Sequence, residues 1–194
     1  MKLQIIVGSS RPGRTSDRVA KWVATEAKTS FDDVEIIDLK EYTLPFFDEL
    51  ISPQFNPNRE ATPEVQKWLD KVAEADAYIL VTPEYNRSTS AVLKNALDHL
   101  DFQFAKKPVG LVGHGSNGGA QAISHLRGIV PAVQAVTVPA VTYFPGIIAM
   151  TNSIDENGVL NEEMAANPYG PQTALKTTIA DVKLYAEALA STRG

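Results

Sequence analysis

Apolar positions along the chain switch repeatedly between two periods. Leu3, Ile5, Ile6 and Val7 are too continuously apolar for a half-exposed strand and mark a buried strand of a parallel sheet. Val19, Trp22, Val23 and Ala27 follow at i, i+3, i+4 and i+8, the spacing of one helix face. Val34, Ile36, Ile37 and Leu39 give a second strand. Val65, Trp68, Leu69 and Val72 give a helix to about residue 74, with Thr62 as its N-cap and Pro63 in its first position. A third strand covers 77–81, followed by a helix from about Thr89 faced by Val92, Leu93, Ala96, Leu97 and Leu100. Val109, Leu111 and Val112 form a fourth strand, and Ala120, Ile123 and Leu126 the helix after it. A fifth strand at 135–141 contains Pro139, which has no N–H for a ladder and so belongs at a sheet edge. Residues 142–170 read as an irregular insertion, and Leu175, Ile179, Val182, Ala186 and Leu189 face a last helix. Five such alternations predict an α/β fold. It is a doubly wound five-stranded parallel sheet with right-handed crossovers, strand order 2-1-3-4-5 and helices on both faces. No repeat or low-complexity tract divides the chain, so residues 1–194 are expected to form a single domain.

In that order strands one and three flank the switch point where ligands bind, which singles out the loops at 8–16, 83–90 and 113–119. All three are rich in Gly, Ser, Thr or Asn. The first carries Ser9, Ser10, Arg11, Arg14, Thr15 and Ser16 between two glycines, directly before a helix. Hydroxyls, forked cations and free N–H groups at a helix start suit a phosphate, the plain alternative being a polar surface turn. The segment after strand two, LPFFDELISPQFNPNREATP, is about twenty residues with four prolines, and loops of that length are more often functional than idle.

Composition narrows the chemistry. The chain has 194 residues, 44% apolar and 21% charged, with a net charge of −5 and no basic block, which argues against a nucleic-acid surface. Without cysteine there is no disulfide, thiolate metal site or thiol nucleophile, and three scattered histidines make a poor metal site. No apolar run reaches the roughly 18 residues needed to span a bilayer, and the N-terminus lacks a leader pattern, so a cytoplasmic protein is expected.

The turn Gly113-His114-Gly115-Ser116-Asn117-Gly118-Gly119 contains G-x-G-x-x-G, the spacing of a dinucleotide fingerprint. Such a fingerprint wants an acidic residue about twenty positions on, and none occurs from Gly113 through Ile154. A hydrolase elbow at Ser116 fails as well, because His114 stands where Gly is needed and no histidine follows His125. His99 and His125 read as partly exposed helix residues. Glu84 reads as a cap or partner near the helix from Thr89.

Pro83-Glu84-Tyr85-Asn86, running into Leu93-Lys94-Asn95-Ala96-Leu97-Asp98, resembles the signature of the NAD(P)H-dependent FMN reductase family of flavodoxin-like oxidoreductases. The likeness extends to the opening GSSRPGR, the LPFFDE after strand two, EADAYILVTPEYN at strand three and the Gly-rich turn after strand four. Arg87 stands where the family commonly has Gly and Ser90 where it has Pro, which bears on the loop shape and the substrate mouth.

The resemblance implies a flavodoxin-like fold with FMN as cofactor, FAD being second choice. Ser9, Arg11, Arg14, Thr15 and Ser16 would hold the phosphate. The backbone of Pro83, Glu84, Tyr85 and Asn86 would line the flavin edge, with the Tyr85 side chain near the ring or a dimer contact. Gly115, Ser116 and Gly118 would approach the far edge beside His114. An isoalloxazine offers a flat apolar face and an edge of donors and acceptors, which such backbone suits. No side chain need be catalytic: hydride passes from NAD(P)H to flavin N5 and on to a quinone, azo dye, nitro-aromatic, metal oxyanion or free flavin. NADPH is favoured over NADH because Arg14, Arg59 and Arg87 are available for a 2′-phosphate. The alternative is a flavodoxin-like electron carrier without direct NAD(P)H activity. Phe46, Phe47, Phe55, Tyr143, Phe144, Ile147, Ile148 and Met150 exceed what one small sheet readily buries. With the family likeness, they imply a homodimer or homotetramer whose partner completes the pocket.

Overall fold

In a computed structural model, described over residues 1–146, 148 and 152–193, the apolar runs form one parallel sheet in the order β2-β1-β3-β4-β5. Its strands are β1 (Lys2–Val7), β2 (Asp33–Asp38), β3 (Ala77–Pro83), β4 (Pro108–Gly115) and β5 (Val136–Pro145). The helices are α1 (Ser16–Ala27), α2 (Pro63–Ala73), α3 (Ala91–Asp98), α4 (Ala120–Ile129), α5 (Glu162–Ala166) and α6 (Pro171–Leu189). None of the described helices is long and apolar enough to cross a membrane.

The two-residue period of each strand sends its side chains into two cores. Leu3, Ile5, Val7, Ile79 and Val81 pack under α1 and α6 with Trp22 and Val182. Ile6, Tyr78, Leu80 and Leu111 pack on the other face with Trp68, Leu93 and Leu126 from α2, α3 and α4. Trp68 has no exposed surface, and its Nε1 donates to the Ala96 carbonyl at 2.9 Å, tying α2 to α3. Thr62 caps α2 as expected, accepting from Val65 N–H. α3 begins two residues later than the pattern suggested, because Ser90 is its N-cap, accepting from Leu93 N–H while donating to the Gly8 carbonyl.

Pro139 does lie on the edge strand, within a register shift where β5 spends extra residues opposite Val109 and Leu111. The backbone groups freed there are satisfied from outside the ladder. Arg127 donates to the Pro139 carbonyl at 2.7 Å, and Ala140 N–H to Asp181 Oδ2 at 3.0 Å. β5 then runs on to Pro145, so part of the expected irregular insertion is strand. That extension buries Phe144 edge-on against Trp22 at 5.5 Å, and Ile148 is buried too. Two of the supposedly surplus apolar residues thus serve their own core. Ile147 and Met150 lie outside the described residues, whereas Phe46 and Phe55 are exposed.

Candidate functional site

The C-terminal ends of β1, β3 and β4 open into a cavity of about 260 Å³. Seven of the twelve candidates line it: Arg11, Arg14, Thr15, Pro83, Glu84, Tyr85 and Gly115. Asn86 and Ser116 are exposed beyond the lining, and Gly118 is buried in the turn behind it. Ser9 and Ser16 have no exposed surface. Their hydroxyls hold loops together: Ser9 Oγ meets Tyr85 Oη at 2.9 Å and Ser16 Oγ meets His114 Nε2 at 2.8 Å. The three loops are thereby linked by side chains 76 and 98 residues apart in sequence. A serine on an imidazole has the form of a nucleophile with its base, but sealed Ser16 is out of reach of any substrate.

The two arginines of the first loop divide their work. The Arg14 guanidinium forks onto Asp38 at the end of β2, with Nη1 to Oδ1 at 2.7 Å, and also reaches the Ser9 carbonyl. Arg14 is therefore already paired. Arg11 is exposed, pairs with no carboxylate among the described residues, and sits with Cζ 5.7 Å from the Tyr85 ring centroid. Beside it the N-cap of α1, Thr15, gives no side-chain bond, so the first-turn N–H groups and the positive helix end are open to an anion.

The second loop is a tight turn. Tyr85 and Ser88 exchange backbone hydrogen bonds at 2.9 and 3.0 Å, with φ of 46° at Asn86 and 69° at Arg87, the pattern of a type I′ turn. Asn tolerates this conformation; Arg does so at a cost of about 1–2 kcal/mol. Glu84 departs from expectation. Its Oε2 accepts from Gln121 N–H at 3.0 Å, capping α4 rather than α3, because the α4 N-cap is a glycine with no side chain to offer.

His114, at the end of β4, lines the cavity and is only 6% exposed. Burial lowers its pKa from 6.5 to about 4, against the weaker opposing pull of Asp17, so the ring is neutral at pH 7. Asp38, which braces Arg14, was passed over by sequence reasoning, whereas Ile148, read from sequence only as surplus apolar material, lines the cavity. The fully apolar run of β4 was a usable signal that His114 would be buried. His99 is a correction: it is 2% exposed rather than partly open. Arg59 is another, since it forks onto Glu49 and reaches Asp101 at 3.4 Å, leaving nothing for a 2′-phosphate. Arg14 is withdrawn from that role by Asp38.

The model of the family "NADPH-dependent FMN reductase" matches residues 1–147. An NAD(P)H-dependent FMN reductase of Schizosaccharomyces pombe is 36% identical over 146 residues, 73% of this chain and 72% of the relative. An FMN-dependent NADPH-azoreductase of Staphylococcus haemolyticus is 38% identical over 142 residues, 72% of this chain and 74% of its own. Among solved structures, FerB, a flavoenzyme NAD(P)H:(acceptor) oxidoreductase from Paracoccus denitrificans, superposes with a TM-score of 0.74 over 96% of this chain and 97% of that one. At 22% identity that match speaks for the fold. Family match, curated relatives, strand order and the three loops meeting at the switch point agree, and the chain belongs to the NADPH-dependent FMN reductase family.

Proposed function

We propose that the cavity at the ends of β1, β3 and β4 holds FMN, with its phosphate at Arg11 and the open N-terminus of α1 and its ring edge along the backbone of 83–86. When bound, FMN supplies the redox chemistry, taking a hydride from NAD(P)H and passing the reducing equivalents to a small acceptor such as a quinone or azo dye. The residues position and shield it. The observation that carries the assignment is the pairing of an unengaged Arg11 with an uncapped helix start in the same cavity. Arg14 and Asp38 brace the loop, and the bonds Ser9–Tyr85 and Ser16–His114 hold the three loops in place before cofactor arrives.

Released flavin from the purified protein should chromatograph as FMN; a protein that takes up no added FMN overturns the reading. A charge-assisted hydrogen bond contributes roughly 1.5–3 kcal/mol, so Arg11→Ala should weaken FMN about ten- to a hundredfold. Unchanged affinity places the phosphate elsewhere. Steady NAD(P)H oxidation with an azo dye or quinone, without a partner reductase, separates this enzyme from a carrier.

With Arg14 and Arg59 engaged, exposed Arg87 is the cation that supports a preference for NADPH. Arg87→Gly should then do two things. Relief of the left-handed strain raises the melting temperature by about 2–4 °C, and loss of the charge lowers the NADPH-to-NADH ratio in kcat/KM. An unchanged ratio removes the arginine from co-substrate selection.

Assembly is part of the proposal. An open, mostly apolar groove of about 550 Å³ runs between α3 and α4, past Ala91 and Ile129, and Phe46, Leu50 and Phe55 stand exposed on the segment before α2. A homodimer, alone or paired into a tetramer, would cover these faces in the cytoplasm, where reduced nicotinamide is supplied. Sedimentation showing a monomer that turns over NAD(P)H excludes a shared pocket.

A further inference from the structure

A second cavity, of about 270 Å³, lies between α3 and the segment that leads into α2, here called the strap (residues 43–62). The last turn of α3 grips this strap. Asn95 accepts from Phe47 N–H at 2.9 Å and donates to the Pro45 carbonyl at 2.8 Å. His99 Nε2 stands 3.0 Å from the same carbonyl, and the Phe47 ring meets the imidazole edge-on at 5.5 Å.

A carbonyl only accepts, so in the neutral ring the proton is on Nε2 and Nδ1 is a bare lone pair. That Nδ1 is buried without a hydrogen-bond partner. Its charged neighbour is Glu49 Oε1 at 3.9 Å, beyond hydrogen-bond reach, and two acceptors facing each other repel. Glu49 is meanwhile held by Arg59, whose Nη2 is 2.6 Å from Oε1.

Carboxylates crowd the cavity. Asp48, Glu49 and Glu60 from the strap line the cavity, and Asp101 from the turn after α3 meets Arg59. Against these four carboxylates stands one cation, Arg59. α2 contributes only apolar Val65 to the lining. His99 is itself the C-cap of α3, where the helix dipole stabilises positive charge. Protonating Nδ1 replaces the lone-pair repulsion with a charge-assisted hydrogen bond once the strap moves in by about 1 Å, the difference between 3.9 Å and normal hydrogen-bond length. The cavity beside it leaves room for that movement.

We infer that His99 and Glu49 form a proton-operated clasp that draws the strap onto α3 when Nδ1 takes a proton. The exposed apolar side chains Phe46 and Leu50 ride on the moving segment, so the surface it presents becomes acid-dependent. The clasp does not rest on the flavin reading.

The test is amide hydrogen exchange on the full-length protein at about pH 7.5 and about pH 5.5, corrected for intrinsic rates, with the ¹⁵N shift of His99 Nδ1 followed in parallel. Phe47 and Glu49 amides should be about tenfold better protected at the lower pH, as Nδ1 takes a proton. His99→Gln keeps an N–H for the Pro45 carbonyl but holds no charge, and it should abolish the difference, as should Glu49→Gln. If Glu49→Gln loosens the strap outright by releasing Arg59, His99→Gln still decides. The same gain in protection in His99→Gln, or an Nδ1 that stays unprotonated at about pH 5.5, overturns the clasp.

Discussion

Gly119→Ala should cost about 2–5 kcal/mol of stability and, in whatever fraction folds, at least about a hundredfold in FMN affinity. The backbone there has φ of +79°, and a Cβ would stand 2.6 Å from the Cα and C of Gly113 and the N of His114. Left-handed geometry alone costs an L-residue about 1–2 kcal/mol. Overlap adds about 1–3 kcal/mol in a packed interior, and here the obstructing atoms are backbone that no rotamer change can move. What must shift is the end of β4, which carries His114 and Gly115 on the cavity wall and, through Ser16, steadies the start of α1. Thermal unfolding of the flavin-free protein followed by FMN titration separates the two losses. Gly13→Ala is the control for the stability arm alone, because Gly13 also has positive φ (+69°) but no protein atom near a Cβ, so the flavin-free protein should lose only the conformational part. Wild-type FMN affinity in folded Gly119→Ala would detach this turn from the cofactor site.

How much of this was legible in the sequence depends on the range of the interaction. The order β2-β1-β3-β4-β5, the edge position of Pro139 and the meeting of three loops follow from apolar period and crossover handedness, both of which are written locally. Residue type also pointed to a phosphate-sized loop. What type does not carry is direction. Ser9 and Ser16 have the hydroxyls a phosphate would want, yet the fold turns both inward to Tyr85 and His114. Arg14 and Arg59 read as free groups, and Glu84 as a cap for the wrong helix, because their partners, Asp38, Glu49 with Asp101, and the start of α4, are brought to them only by tertiary packing. His99 read as partly exposed because helical position alone does not show a strap lying over it. Phe144 read as surplus because β5 outruns its apolar pattern, threonine and tyrosine carrying the strand up to the buried ring.

The acid limb of the stability curve should bear the mark of His114. Its pKa falls from 6.5 to about 4 because burial penalises the imidazolium. Between those values the unfolded chain binds a proton that the folded chain refuses, so stability must fall as pH falls. The contribution is complete above about pH 6.5 and is lost by about pH 4, amounting to about 3 kcal/mol at 1.36 kcal/mol per pH unit. Urea unfolding of the flavin-free protein across that interval should show the midpoint dropping at nearly constant slope. The experiment belongs in a His99→Gln background, which keeps the proposed clasp out of the profile. In that background His114→Gln, which keeps a polar group near Ser16 without a titrating ring, should flatten the profile between about pH 4 and 6.5 and fall below the parent at neutral pH. Parallel profiles for the two proteins would place the acid sensitivity elsewhere. A flattened profile would mean that the cavity wall holds its one imidazole neutral, so that Arg11 and the α1 N-terminus, the proposed phosphate site, carry the positive side of the pocket without it.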